Sequence, residues 1–231
     1  MASRYHDCVS LRPDVTMAQR KRQLVANELS EAALQLLALK GFDAVTVDEI
    51  AATAGVSKRT FFRYFASKED VVVQFLAHLG EGIRQELAGR PADEQPSVAL
   101  RHAVWAAMAV CAGQGEPGDH GDRGDPGVHA ERVLRVVQLI LGTPALRARF
   151  LEHQGQWREE LAAELGRRLG LDPAVDLYPQ LAAGMALTAF DAVLQRWSGS
   201  GGVVDPAALT SRAFAALAPA LDAAPPSGPG Q

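Results

Sequence analysis

Apolar residues in this chain return every third or fourth position nearly from end to end, and no segment alternates apolar and polar residues over more than a few positions. The first spacing gathers apolar side chains on one face of a helix, whereas a half-buried strand needs the second. The chain is therefore expected to be all-α. Composition agrees, with 48% hydrophobic residues but only 6% aromatic ones. Ala and Leu dominate the apolar set; both lose little on entering a helix, while a sheet favours β-branched and aromatic residues. At 231 residues there is room for a small domain and a larger one. No apolar run approaches the ~18–20 residues that cross a bilayer, and the first fifteen residues hold no secretory apolar stretch. Two cysteines, Cys8 and Cys111, cannot make a disulfide framework. These features point to a cytoplasmic chain.

The pattern divides into about nine helices. Val25, Leu29, Ala32, Ala33 and Leu36 mark the first, from about Met17 to Leu39, closed by Gly41. Val47, Ile50, Ala51 and Ala54 mark a short second, opened by a Thr46–Glu49 capping box and ended by Gly55. Ser57 caps a third, with Phe61 and Phe65 one turn apart, and Ser67 caps a fourth whose apolar face runs from Val72 to Leu87. Arg90 to Ser97 is a polar break before a fifth helix carrying Leu100, Val104, Ala107, Met108 and Cys111. The Gly-, Pro- and Asp-rich stretch 113–127 has no apolar periodicity and is expected to be a mobile loop. A sixth helix over about 128–141 and a seventh to about Leu169, with a bend near Gly155, are separated by Gly142-Thr143-Pro144. An eighth, 176–198, and a ninth, 206–221, complete the pattern, with a tail beyond.

The formal net charge is −4, but the basic groups cluster near the start: residues 1–70 carry 10 Lys+Arg against 9 Asp+Glu. Local patches rather than net charge decide where phosphates dock. The stretch TVDEIAATAGVSKRTFFRYFASK, residues 46–68, reads as two short helices about a Gly-containing turn. Ala51 and Gly55 let the two backbones approach, Val56 and Phe61 face inward, and the second helix is left to present Lys58, Arg59, Thr60, Phe62, Arg63 and Tyr64 outward. Arg and Lys donate to guanine edges or phosphates, and Thr touches a thymine methyl or a phosphate oxygen.

Residues 17–75, and above all AALQLLALKGFDAVTVDEIAATAGVSKRTFFRYFASKEDVV, resemble the DNA-binding region of the tetracycline-repressor (TetR) family of bacterial transcription regulators. The resemblance implies a homodimer whose third helices enter successive major grooves of a near-palindromic double-stranded operator, and a C-terminal domain that binds a small molecule. It implies an arm over 1–16, a helix-turn-helix domain over 17–66, a sensing and dimerising domain over 67–222, and a tail over 223–231. Residue by residue, Ser57, Lys58, Arg59 and Thr60 match the exposed start of the recognition helix. Phe62 and Tyr64 match positions touching methyls, sugars or phosphates, with basic Arg63 between them. Thr46 and Lys68 match phosphate contacts at the starts of the second and fourth helices. Arg20, Lys21 and Arg22 open the first helix, within reach of the backbone or minor groove. Plainer roles exist: Thr46 as a cap, Phe62 packed on the fourth helix, Arg20–Arg22 as a solvated face.

The eighth helix carries two apolar stripes, one with Leu177, Leu181, Met185 and Ala192, the other with Ala183, Leu187, Phe190, Leu194 and Trp197. A helix apolar on two sides has two things to pack against. Leu187, Phe190, Leu194 and Trp197, with Leu209, Ala213 and Leu217 of the small-residue-rich ninth helix, are expected to form a four-helix dimer bundle. Trp105, Met108, Phe150, Trp157 and Met185 are the candidates for a ligand pocket, which suits a hydrophobic effector; each could equally be plain core.

Enzymes and metals find little support. Neither a dinucleotide nor a P-loop glycine motif occurs in the required context, and the histidines form no H-x-x-x-H or H-E-x-x-H pair. Asp119, His120, Asp122 and Asp125 lack a calcium-loop pattern. No cofactor, metal or membrane is implied. The expected function is a repressor released from its operator by a small, largely hydrophobic molecule. Open alternatives are an activator, a regulator controlled by a protein partner through the 113–127 loop, and a helical interaction module without DNA binding.

Overall fold

The computed structural model describes residues 17–114 and 126–223; the side chains of residues 18–20 and 126–129 are outside that description. Among the described residues the structure is all-α and has no strand. The helices are α1 (Met17–Lys40), α2 (Val47–Thr53), α3 (Lys58–Tyr64), α4 (Lys68–Gly89), α5 (Pro96–Cys111), α6 (Pro126–Gly142), α7 (Pro144–Leu169), α8 (Leu177–Gly199) and α9 (Pro206–Leu221).

Local chemistry sets most of these boundaries. Gly41 ends α1 at φ +80°, in the left-handed region where a side chain is strained. The Thr46 hydroxyl accepts from the Glu49 amide at 3.3 Å, while the Thr46 amide donates to the Glu49 carboxylate at 3.0 Å. Two otherwise unpaired donors are thereby satisfied at the start of α2. Gly55, at φ +66°, turns the chain towards α3, where the Ser57 hydroxyl accepts from the Thr60 amide at 3.1 Å. Ser67 and Asp70 repeat the reciprocal cap on α4. Leu29, Ala33 and Leu37 of α1, Ile50 and Ala51 of α2, and Phe61 and Phe65 of α3 are buried in the same core as Val71 and Val72 of α4.

Later boundaries differ from the sequence reading where distant partners act. α5 begins at Pro96, inside the expected break. Proline at the first helical position has no N–H to leave unpaired, and the next residue is capped from the far end of the chain. The Ser97 amide and hydroxyl donate to the Asp222 carboxylate at 2.9 and 2.7 Å. Thr143 occupies the N-cap position of α7, but its side chain makes no capping hydrogen bond; α7 runs without interruption past Gly155. Of the expected loop, residues 115–125 lie outside the described residues, while Pro126 and Gly127 belong to α6.

α4 packs on α1 at one end and on α5 and α7 along its length. It thus connects the N-terminal helices to the larger bundle of α5–α9, and α1 itself also packs directly on α6. α8 is long and apolar enough, by length and composition alone, to cross a bilayer, contrary to the expectation from apolar run length. Half of that stretch is buried within the protein, the ordinary use of such residues in the central helix of a bundle.

Candidate nucleic-acid interface

α3 presents its side chains as the helix period requires. Phe61 is fully buried, and Phe65, just past the helix end, is nearly so. Ser57, Lys58, Arg59, Phe62 and Arg63 are exposed; Thr60 and Tyr64 are half-buried. Phe62 is 50% exposed and meets Phe61 edge-to-face, centroids 5.6 Å apart. It is therefore anchored at its base and open at its rim, not packed away on α4. Lys58 pairs with Asp48 of α2 at 2.8 Å, an exposed ion pair that a phosphate can replace at small cost. The Ser57 and Thr60 hydroxyls are 2.9 Å apart and tie one another. Arg59 makes no hydrogen bond or ion pair among the described residues and is the free cation of the helix.

Tyr64 brings α1 and α3 together. The Arg63 guanidinium lies 5.3 Å from its ring centroid and that of Arg22 6.0 Å, a distance at which a cation is drawn to the ring. Two positive groups from different helices therefore converge on one phenol at the end of the recognition helix. Lys21 is exposed on α1; the side chain of Arg20 lies outside the described residues.

At the start of α2, Thr46 is exposed, but the helix terminus already holds an anion. Glu49 accepts from Lys40 at 2.9 Å. That hydrogen bond first, then those from the Thr46 amide and hydroxyl, lower its carboxyl from 4.5 to about 2. Any phosphate approaching this terminus meets a fixed negative charge beside the open amides.

Lys68 requires a correction. Its ammonium does not point to solvent at the start of α4: it donates to the carbonyls of Phe42 at 2.6 Å and Val45 at 3.0 Å, and lies 4.4 Å from the Phe42 ring centroid. It clamps the α1–α2 connection to α4 and is a structural cation. The sequence shows no sign of this, since the carbonyls lie 26 and 23 positions away.

In the larger bundle, Phe150 and Trp157 of α7 meet Phe190 of α8, with centroids 6.0–6.4 Å apart. Met108 is buried in the same core, and Trp105 of α5 and Met185 of α8 are half-buried and packed against it.

The dimer stripe expected on α8 is also corrected. Leu187, Phe190, Leu194 and Trp197 are all buried inside the subunit, because their bulk fills the space against α5, α7 and α9. The opposite stripe faces outward, with Leu177 76% and Leu181 61% exposed. On α9, Leu209, Ala213 and Leu217 are half-buried and Ala216 and Ala220 exposed.

Two features between the elements had no sequence signal. Trp157 rests directly on Gly80 of α4: a Cβ built there would lie 1.9 Å from the indole Nε1. The Arg168 guanidinium caps the end of α4, donating to the carbonyls of Leu87, Arg90 and Pro91 at 3.1, 2.8 and 2.6 Å. Cys111 is fully buried, which pushes its thiol up to about 12 and removes thiolate chemistry at neutral pH. Cys8 and the Asp119, His120, Asp122 and Asp125 group lie outside the described residues; among those described, no three His, Cys, Asp or Glu residues are grouped to hold a metal.

A helix-turn-helix with an exposed basic recognition helix, packed through α1 and α4 on a larger helical bundle, defines a DNA-binding transcription regulator of the bacterial kind. Residues 29–75 match the family described as bacterial regulatory proteins, tetR family, and residues 94–222 match the MftR C-terminal domain. The chain is 32% identical to the regulator MftR of Mycobacterium tuberculosis, whose name assigns it to mycofactocin biosynthesis, over 78% of this chain and 84% of that protein. It is 29% identical to the HTH-type transcriptional regulator TcmR of Streptomyces glaucescens, over 78% of this chain and 76% of that protein. In fold it is similar to the fatty acid degradation regulator FadR of Bacillus halodurans (TM-score 0.58, 22% identity, 84% of this chain and 94% of that one). It is also similar to FadR of Bacillus subtilis, solved with stearoyl-CoA (TM-score 0.57, 21% identity, 83% and 96%). The chain belongs to the TetR family of transcription regulators, and its larger part to the branch that carries the MftR C-terminal domain. Both relatives are named as transcription regulators.

Proposed function

We propose that this protein is a homodimeric repressor released from a near-palindromic operator by a small, largely hydrophobic effector. Lys58, Arg59, Phe62 and Arg63 read or grip the major groove, with Arg22 and Lys21 on the flanking backbone, while Thr46 serves as the cap of α2. The two subunits join through the outward stripe of α8, Leu177, Leu181 and Ala192, and through Leu209, Ala213 and Leu217 of α9. The four-helix arrangement expected from sequence is kept in this reading, with the opposite face of α8 supplying the contacts.

The observation that carries the effector's role is the Trp157–Gly80 contact. It places the aromatic cluster of the larger bundle against the backbone of α4 with no side chain between them. An apolar ligand wedged among Phe150, Trp157 and Phe190 moves α4, and α4 is continuous with the core beneath α3. Displacement there changes the separation of the two recognition helices, which a two-fold operator requires at about one helical turn, roughly 34 Å. The effector acts only through its difference in affinity for the two spacings. The FadR structure with stearoyl-CoA supports an effector that carries an acyl chain.

Selection of the full-length protein on randomised duplex DNA tests the reading, followed by titration of the enriched sequence across a salt series. An inverted repeat is expected, and Arg59→Ala should cost about 1–3 kcal/mol on that repeat. Salt-sensitive binding with no enriched motif would overturn sequence-specific repression. Labels on α3 of each subunit should change separation when an effector lowers affinity; an unchanged distance would refute the spacing mechanism.

A further inference from the structure

Along α7, Phe150, Gln154, Trp157, Leu161 and Leu165 share one face, since their spacings are those of a helix period. The four apolar members are at most 3% exposed. Gln154 stands among them with its side-chain amide nitrogen buried and without a hydrogen-bond partner, the one such side-chain atom among the described residues. Burying an amide donor unpaired is unfavourable, and an apolar side chain of similar length would serve the folded core better. The remainder of Gln154 is half-buried, and Leu151 on the preceding turn is 52% exposed. The amide therefore lies at the rim between the surface and the ring cluster.

We infer that Gln154 is the polar anchor of the effector site, and that the effector is a neutral, ring- or chain-bearing molecule whose carbonyl oxygen accepts from the Gln154 amide. This deepens, and rests on, the effector-controlled reading above. The surroundings decide the class. Phe150, Trp157 and Phe190 are buried against one another, so an apolar body that reaches them from the Gln154 side exchanges ring–ring contacts for its own. A carboxylate would be buried against a single neutral donor, and the cation on the following turn of α7, Arg158, is exposed; that burial costs more than one hydrogen bond returns. A neutral carbonyl satisfies the amide while its body enters the rings and bears on Trp157, and through Trp157 on Gly80.

Two matched probes test this, 2-acetylnaphthalene and 2-ethylnaphthalene, which differ in shape by little and in the acceptor oxygen entirely. Binding to the full-length protein is followed by tryptophan fluorescence. The ketone should bind about tenfold more tightly than the hydrocarbon, the worth of one buried hydrogen bond. In Gln154→Met the preference should shrink to within about twofold while hydrocarbon binding persists. The Met variant should also melt at a higher temperature than the unliganded parent, because the unpaired amide is gone. Gln154→Leu repeats both measurements should the first replacement pack poorly. Equal discrimination in parent and variants, a lowered melting temperature in both variants, or no binding of either probe to the parent would each overturn the assignment. The underlying reading is judged apart, by operator affinity with and without the ketone. A ketone bound through Gln154 that leaves operator affinity unchanged keeps the site and removes its regulatory role.

Discussion

Gly80→Ala isolates the Trp157 contact on which the proposed coupling through α4 rests. A Cβ at this position would lie 1.9 Å from Nε1, 2.2 Å from Cδ1 and 2.6 Å from Cε2 of Trp157. Since non-bonded atoms need about 3.5 Å, α4 and the indole must part by about 1.6 Å. The ring is rigid and cannot swing clear, for Phe150 and Phe190 hold it at centroid distances of 6.0 and 6.1 Å. Overpacking of this kind costs about 1–3 kcal/mol, and replacing a helical glycine by alanine returns about 1 kcal/mol. The net expectation is a loss of up to about 2 kcal/mol, and a difference of about 1–3 kcal/mol from the helix-propensity gain alone. Gly82, two positions along the same helix, supplies the control because a Cβ there meets nothing within 4 Å. Gly82→Ala should therefore gain up to about 1 kcal/mol from helix propensity alone. Urea unfolding of both variants at one protein concentration measures the difference, since the stability of a dimer depends on concentration. Trp157→Phe in the Gly80→Ala background should restore part of the loss by removing the atoms that clash. If Gly80→Ala is as stable as Gly82→Ala, the close approach is not real and the coupling route through α4 falls with it.

The remaining expectations concern charge and distant caps. Lys68→Met should lower stability by about 1–3 kcal/mol through two lost charged hydrogen bonds, yet leave the salt dependence of operator binding unchanged; a slope reduced by about 1 would return Lys68 to the phosphates. Asp222→Ala removes the carboxylate that accepts from both the Ser97 amide and hydroxyl at the start of α5 and should cost about 2–3 kcal/mol in urea unfolding; a change below about 0.5 kcal/mol would mean that water replaces the carboxylate. The Glu49 carboxyl, held at about 2 against its ordinary 4.5, contributes stability that is complete above 4.5 and lost as pH falls through about 2. Carboxyl NMR through an acid titration reads this directly, and a Glu49 midpoint near 4.5 would show that the Lys40 and Thr46 hydrogen bonds do not persist in solution.

What the sequence by itself determined is local. The all-α class follows from the three-and-four spacing, and the first four helix boundaries from the Thr46–Glu49, Ser57–Thr60 and Ser67–Asp70 caps and from Gly41 and Gly55. Each of these signals lies within about a turn of the residue it governs, so it is written in adjacent letters. The outward basic set on α3 is legible for the same reason, because burying Phe61 leaves Lys58, Arg59, Phe62 and Arg63 exposed.

Tertiary structure decided whatever depends on a partner far along the chain. Two apolar stripes on α8 look alike in sequence; the neighbouring helices chose the bulkier one, with Phe190 and Trp197, for the interior and left Leu177 and Leu181 outside. The direction of the Lys68 ammonium was set by carbonyls on the α1–α2 connection, and the start of α5 by an aspartate 125 residues away. Neither the seat of Trp157 on Gly80 nor the unpaired amide of Gln154 has a local pattern, because close approach and missing partners arise only when helices pack. Periodicity says that a residue faces inward; only packing says what it meets there.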